Sequence, residues 1–290
     1  MVLNKHGSFY MRSGWGTKIQ QAVNSDAAIF APANEQDAID EIGLGRVMIK
    51  ALRYWADAMG LTYEKKEQNV ISKYKTPLFV YIEKYDPYFQ KLGTLALLHR
   101  NIANNIDVVT AWYWLFNEWS SDVITNDAFT DGLHAFVAVN GMNVKRDAVN
   151  KEFNCVKNTY VGDKSTDKKN IMDEDTYPFF GPLHILKFDG KQLIKKHLTE
   201  KELPVEVLIY AIANDNKQES ENHGQVGIDT LMEGKCQVGR YFNIRYTDLI
   251  DMLIEAENKG YIALNNNFGN RLIEFNDTNY DALIEKYFVE

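Results

Sequence analysis

The sequence predicts a mainly α protein with small β-hairpins, an α+β fold in which helix-turn-helix and winged-helix units surround a helical core. Three observations carry that expectation. Residues 40–61, DEIGLGRVMIKALRYWADAMGL, read as two helices split by a glycine turn. Residues 109–119, VTAWYWLFNEW, are apolar on every helical face, as a buried central helix is. Residues 248–259 have helical spacing, and YIAL, NNNFGN and RLIEF follow them. Two short strands around an Asn/Gly-rich turn, directly after a helix, have the order of a winged helix.

The elements follow in chain order. Gly14 and Gly16 bracket Trp15, which suggests an anchored turn before a short helix from Thr17. Residues 34–60 form the clearest helical pair. Asn34 is a good N-cap, and Glu35, Asp37, Asp40 and Glu41 put negative charge where the helix dipole favours it. Gly43-Leu44-Gly45 breaks the first helix, and the second runs from Arg46 to Met59 and stops at Gly60. A charged patch, YEKKEQN, and a mixed segment lead to Thr76-Pro77; residues 86–105 then read as a loop and a helix. In the aromatic segment Trp112, Leu115, Phe116 and Trp119 share one face, a spacing that belongs to a core. Residues 143–160 are an amphipathic helix and 162–175 a polar loop. Residues 183–197 suggest a hairpin turning at Asp189-Gly190. Pro204 suits a helix first turn, so 205–213 is read as a helix and 214–230 as a loop. The helix at 248–259 ends at Gly260, and 280–288 is a last helix. Helix–hairpin units recur loosely, without a fixed period. This organisation divides the chain into an N-terminal helix-turn-helix domain (1–75), a central aromatic-rich helical segment (76–139) and a C-terminal helical and winged-helix domain (140–290).

Composition narrows the function. The chain has 290 residues, 45% hydrophobic and 12% aromatic, enough to bury a core. Its net charge is −8, so nucleic acid could be met only through local patches. Cys155 and Cys236 form no metal-ligand spacing with the histidines and are expected as buried, reduced thiols. No long apolar run and no secretory leader are read, so a cytoplasmic protein without membrane contact is expected. Phosphate-loop, dinucleotide, nucleophile-elbow and metalloprotease motifs are absent. His99, in LLHRN, is expected in the core, and Glu118 is a single carboxylate without an identified partner. No cofactor and no metal site are expected, and no catalytic residue is assigned.

Basic faces are the remaining signal. In the second helix of the opening pair, Leu44, Val47, Met48, Ala51, Trp55 and Met59 fall on one face. Arg46, Lys50 and Arg53 fall on another at i, i+4 and i+7, with Tyr54 beside them. A DNA-reading helix packs its back and offers its N-terminal half in this way. An ordinary helix hairpin with a solvated basic face has the same pattern. A second cluster holds Lys145, Arg146, Lys151 and Lys157, followed by Lys164, Lys168 and Lys169, on an otherwise acidic chain. Arg271, after NNNFGN, could reach phosphate from a wing, although Asn and Gly also serve a plain hairpin.

SGWGTKIQQA, IGLGRVMIKALRYWADAMGL, DPYFQKLGTLALLHRNI, TAWYWLFNEW, VKRDAVNKEFNCVKNTYV and LIEKYF occur in that order across nearly the whole chain. Together they resemble the bacterial family of domain of unknown function 4007. The resemblance implies a mixed helical protein of winged-helix character, encoded in prokaryotic defence or DNA-modification clusters beside a phosphosulfate-reductase-like protein. It implies no catalytic residues. The function expected is a DNA-binding accessory protein that meets double-stranded DNA through the residues above and works with that partner. A protein–protein adaptor without DNA contact and an enzyme with an unrecognised site remain the alternatives.

Overall fold

A glycine in the left-handed region ends the first long helix of the opening pair, and the same device recurs down the chain. Gly43 has φ +70°, Gly60 φ +63° and Gly260 φ +75°, and each closes a helix where an L side chain would be strained. The computed structural model describes residues 1–67, 70–162, 177–267, 270–276 and 278–289.

The first unit contains α1 (Trp15–Ser25), α2 (Glu35–Ile42) and α3 (Arg46–Ala58), then the antiparallel hairpin β1 (Thr62–Glu67) and β2 (Val70–Lys75), paired from Thr62↔Lys75. Lys73 N–H donates to Ala27 O at 2.7 Å, so residue 27 lies along the free side of β2. Helix α4 (Pro77–Tyr85) has proline in its first turn, and the Thr76 hydroxyl accepts from Phe79 N–H. Helix α5 (Leu92–Ala103) is buried along most of its length. The Asp86 carboxylate accepts from Gln90 and Lys91 N–H at 2.8 and 2.9 Å and fixes the loop before it.

The aromatic segment is a short helix, α6 (Thr110–Tyr113), that widens into a π turn over Trp114–Glu118. The second unit follows: β3 (Val123–Thr125), α7 (Asn126–Val139), α8 (Arg146–Tyr160), β4 (Leu186–Phe188) and β5 (Gln192–Lys195). Asp189 accepts from Lys191 and Gln192 N–H at the hairpin turn, and Gly190 has φ +102°. The third unit runs through α9 (Val205–Asp215), α10 (Lys217–Glu221), β6 (Gln225–Gly227), α11 (Ile228–Glu233), α12 (Val238–Tyr241), α13 (Tyr246–Asn258), β7 (Ile262–Asn267) and β8 (Asn270–Phe275). Helix α14 (Tyr280–Val289) packs on α9 and α4.

The sheets of the second and third units share one topology. Their orders are β3-β5-β4 and β6-β8-β7, so a strand entered before the helices pairs with the last strand of the following hairpin. The β3–β5 pairing joins Val123 to Ile194 and so spans the division placed at 139/140. One buried cluster runs through all the units, with Trp55 and Trp112 packed edge-to-face at 5.4 Å. The fold is mainly α with small antiparallel sheets, as the sequence predicts.

Three local expectations are corrected. Residues 62–75, read as a charged patch and a mixed segment, form the β1–β2 hairpin. Lys73 faces inward there, 1% exposed, and its ammonium donates to Asp57 (2.5 Å) and Glu64 (3.1 Å). A lysine on the inner face of a strand hides the alternation that marks strands. Residues 214–230, read as a loop, contain the end of α9, then α10, β6 and the start of α11, elements too short for a periodic signal. In α3 the apolar stripe is rotated: Ile49, Leu52, Trp55 and Ala56 are buried, while Val47 is exposed. The polar loop read at 162–175 lies outside the described residues from residue 163 onward.

Candidate nucleic-acid interface

Helix α3 starts at Arg46 after its N-cap Gly45, two residues beyond the α2 cap Gly43, and its first turn carries the exposed Val47. Arg46 and Lys50 stand one turn apart there, 64% and 67% exposed. Both reach Glu35 at the start of α2, at 2.9 and 3.2 Å. Exposed pairs of this kind contribute about 0–1 kcal/mol, so either cation can leave Glu35 for a phosphate. Arg53, one turn further, is 31% exposed and held from both sides. It donates to Phe30 O at 3.3 Å and to the Glu64 carboxylate at 2.6 Å. Arg53 and Lys73 together keep Glu64 below the usual carboxylate range against the opposing effect of burial. The face is therefore open at Arg46 and Lys50 and closes at Arg53.

Tyr54 is withdrawn from the interface. Its hydroxyl donates to Val108 O at 3.0 Å, and its ring packs edge-on against Trp55. Burial of the hydroxyl, then the charge of Glu152, pushes its pKa up. The residue after Arg53 lies about 100° around the helix, which carries it to the core side.

Helix α8 supplies the second cluster. Lys145 is its exposed N-cap, and Arg146 and Lys151 are exposed on the helix. Arg146 pairs with Asp131 at 2.9 Å and Asp127 at 3.6 Å on α7. Lys157 lies 5.3 Å from the Phe188 ring centre, and so belongs to packing. Lys164, Lys168 and Lys169 lie outside the described residues. Arg271 is exposed on β8, opposite Asn266; the two residues of the turn tip, 268 and 269, are outside the described set.

A strap at the N-terminus, invisible as a motif, ties α3 to α8. Asn4 N–H donates to the Glu152 carboxylate at 2.5 Å, and its amide to Ala148 O at 2.8 Å. His6 Nε2 lies 3.0 Å from the same buried Glu152, and Trp55 donates to Phe9 O at 3.0 Å. Sequence reasoning missed this strap, and it missed Glu35 as the partner of both exposed cations. Each is a contact between elements, which spacing within one helix does not encode.

His99 and Glu118 do not come together in one site. His99 is fully buried: its Nε2–H donates to Tyr241 O at 2.6 Å, which leaves Nδ1 to accept from the Tyr160 hydroxyl at 2.7 Å. Burial lowers its pKa to about 4. Glu118 is half-buried elsewhere and pairs with Lys235 at 2.7 Å. Cys155 is buried, Cys236 is half-buried, and burial raises both thiols above their ordinary range. Among the described residues, no group of three or more His, Cys, Asp or Glu is placed to hold a metal ion. No described helix is long and apolar enough to cross a membrane.

The architecture is thus a mainly helical chain of hairpin-bearing units on one core. The chain belongs to the family described as Protein of unknown function (DUF4007), whose model matches residues 3–288. Two solved structures are similar to it over the whole fold. One is a magnesium ion-bound SspB crystal structure, with a TM-score of 0.84 and 21% identity, covering 99% of this chain and 88% of that one. The other is an SspB crystal structure with a TM-score of 0.83 and the same identity and coverage. At this identity the likeness concerns the fold alone. No curated protein matches the chain.

Proposed function

We propose that this protein is a DNA-binding accessory protein of a prokaryotic DNA-modification or phage-defence system. What supports this reading is element order: the second unit runs strand, two helices (α7, α8) and a hairpin whose last strand lies centrally, and the third runs strand, three helices (α11, α12, α13) and a hairpin of the same pairing, an order like that of a winged helix. The first unit has the helices and the hairpin, with Ala27 beside β2 in place of a strand. In this reading α3, α8 and α13 occupy the DNA-reading position of their units. The observation that carries the proposal is the exposure of Arg46 and Lys50 at the start of α3. Lys145, Arg146 and Lys151 add backbone contacts from α8, and Arg271 adds one from the hairpin of the third unit.

Helix α13 supports a second role. It carries Asp248, Asp251, Glu255 and Glu257, with Ile254 43% exposed among them. Such a face repels phosphate and suits a protein partner, which here is the phosphosulfate-reductase-like protein. The chain would hold that enzyme on DNA. Wild-type protein is expected to bind a duplex with an affinity that falls steeply with salt. A chain that co-purifies with the reductase-like protein but binds no duplex at low salt overturns the DNA reading in favour of an adaptor.

A further inference from the structure

One hollow in the described structure plays no part in the basic faces. It is a cleft of about 670 Å³ enclosed by α4, α5, α9, α10 and the start of α14. A neighbouring hollow of about 360 Å³ shares Gly60, Arg100 and Asn101 with it. Pockets of roughly 300–1,000 Å³ hold small organic ligands.

The lining has a particular chemistry. Tyr81 on α4 and Tyr210 on α9 bring two phenol rings to the cleft. Burial raises the Tyr210 pKa, and Arg100, Asp281 and Tyr81 all lie near enough to act on its hydroxyl. Asn214 brings an amide whose nitrogen donates to Tyr210 O at 3.0 Å, and Asp281 brings a carboxylate at the mouth; the Asn101 amide donates to Met59 O at 2.9 Å and accepts from Arg100 at 3.3 Å. Both lining cations have carboxylate partners. Arg100 donates to Asp215 through Nε at 2.9 Å and a terminal nitrogen at 2.5 Å, and the Tyr241 hydroxyl donates to the other Asp215 oxygen. Lys217, at the rim, lies 3.6 Å from Glu221.

Arg100 is tied to the buried Asp215 carboxylate and Lys217 stands out at the exposed rim, so the interior of the cleft is a poor host for a polyphosphate. Amides and carboxylates make it costly for a purely apolar guest, because they would lose water without a partner. Aromatic rings beside amide donors and acceptors suit a planar heterocycle with polar edges. We infer that this cleft binds a nucleobase, held by stacking on tyrosine and by hydrogen bonds to the Asn214 amide and the Asp281 carboxylate. The base could belong to a free nucleoside or to an unstacked nucleotide of a strand. The inference is independent of the α3 face and stands or falls separately from it.

The test is a calorimetric titration of the full-length protein with adenosine, cytidine, guanosine and uridine, with ribose as control, and with a short single-stranded oligonucleotide. One saturable site for at least one nucleoside is expected, with ribose silent. Oligonucleotide binding that is tighter than nucleoside binding and is weakened along with it in Tyr81→Ala identifies a strand as the source of the base; tighter nucleoside binding identifies the free molecule. Tyr81→Ala is expected to weaken binding about tenfold, the loss of one stacking partner. Tyr210→Phe, which keeps the ring and the fold, is expected to weaken it a few-fold. No nucleoside or oligonucleotide binding at millimolar concentration, equal binding of ribose, or wild-type affinity in a folded Tyr81→Ala protein would overturn the inference.

Discussion

Helices α3 and α13 occupy the same place in their units, each following a shorter helix and running into an antiparallel hairpin. Their buried sides match in spacing: Ile49, Leu52 and Ala56 in one, Leu249, Met252 and Ala256 in the other. Their exposed sides oppose each other in charge. α3 shows Arg46 and Lys50, whereas α13 shows Asp251 and Glu257 around an exposed Ile254. The buried spacing builds the unit, and the exposed residues choose what it meets. On a chain with a net charge of −8 the two helices thus present faces of opposite sign.

The largest expected effect tests the core beneath both helices. The buried His99 has its pKa lowered to about 4. An unfolded histidine titrates near 6.5, so between these values the unfolded chain binds a proton that the fold refuses. Stability is therefore fully present above pH 6.5 and falls as the pH drops towards 4, by about 3 kcal/mol from this group. Denaturant unfolding across that range should show the loss, and His99→Gln should flatten it. If the unfolding signals of the first and third units separated in acid, the idea of one shared core would fail.

Next in size is charge reversal. Arg46→Glu with Lys50→Glu should weaken duplex binding about 100-fold at low salt, read by fluorescence anisotropy. Asp251→Lys with Glu255→Lys should not weaken it at all. Equal losses from both helices would erase the distinction between them.

A smaller effect separates Tyr54 from its basic neighbours. Tyr54→Phe removes the bond to Val108 O and should cost about 1 kcal/mol of stability. The salt dependence of duplex binding should not change; a changed slope would return Tyr54 to the interface. Smallest is Glu35→Gln, which frees both Arg46 and Lys50 from their ion pairs. Duplex affinity should rise about two- to threefold, in keeping with the weakness of exposed pairs. A fall in affinity would mean that Glu35 orients the cations.

The contrast also explains what could be read in advance. The glycine-bounded helices, the Asp189-Gly190 hairpin and the aromatic core segment announce themselves locally, through backbone freedom, turn chemistry and burial of large rings. The β1–β2 hairpin does not, because Lys73 is buried by partners on other elements, Asp57 and Glu64. The exposed cations at 46 and 50 are legible from helical period, but the angle of the stripe is not. Tyr54 and Val47 exchange sides because packing against the N-terminal strap and Trp112 sets the helix rotation. The cleft between α4, α5 and α9 left no local signal, since its walls come from residues far apart in the chain.

The most direct measurement is the salt dependence of duplex binding by wild type and by the Arg46→Ala/Lys50→Ala protein. Loss of two phosphate contacts should make the slope of log affinity against log salt shallower by about 2, with the fold unchanged. A slope equal to that of wild type, or a wild-type protein that binds no duplex at low salt, would contradict the account.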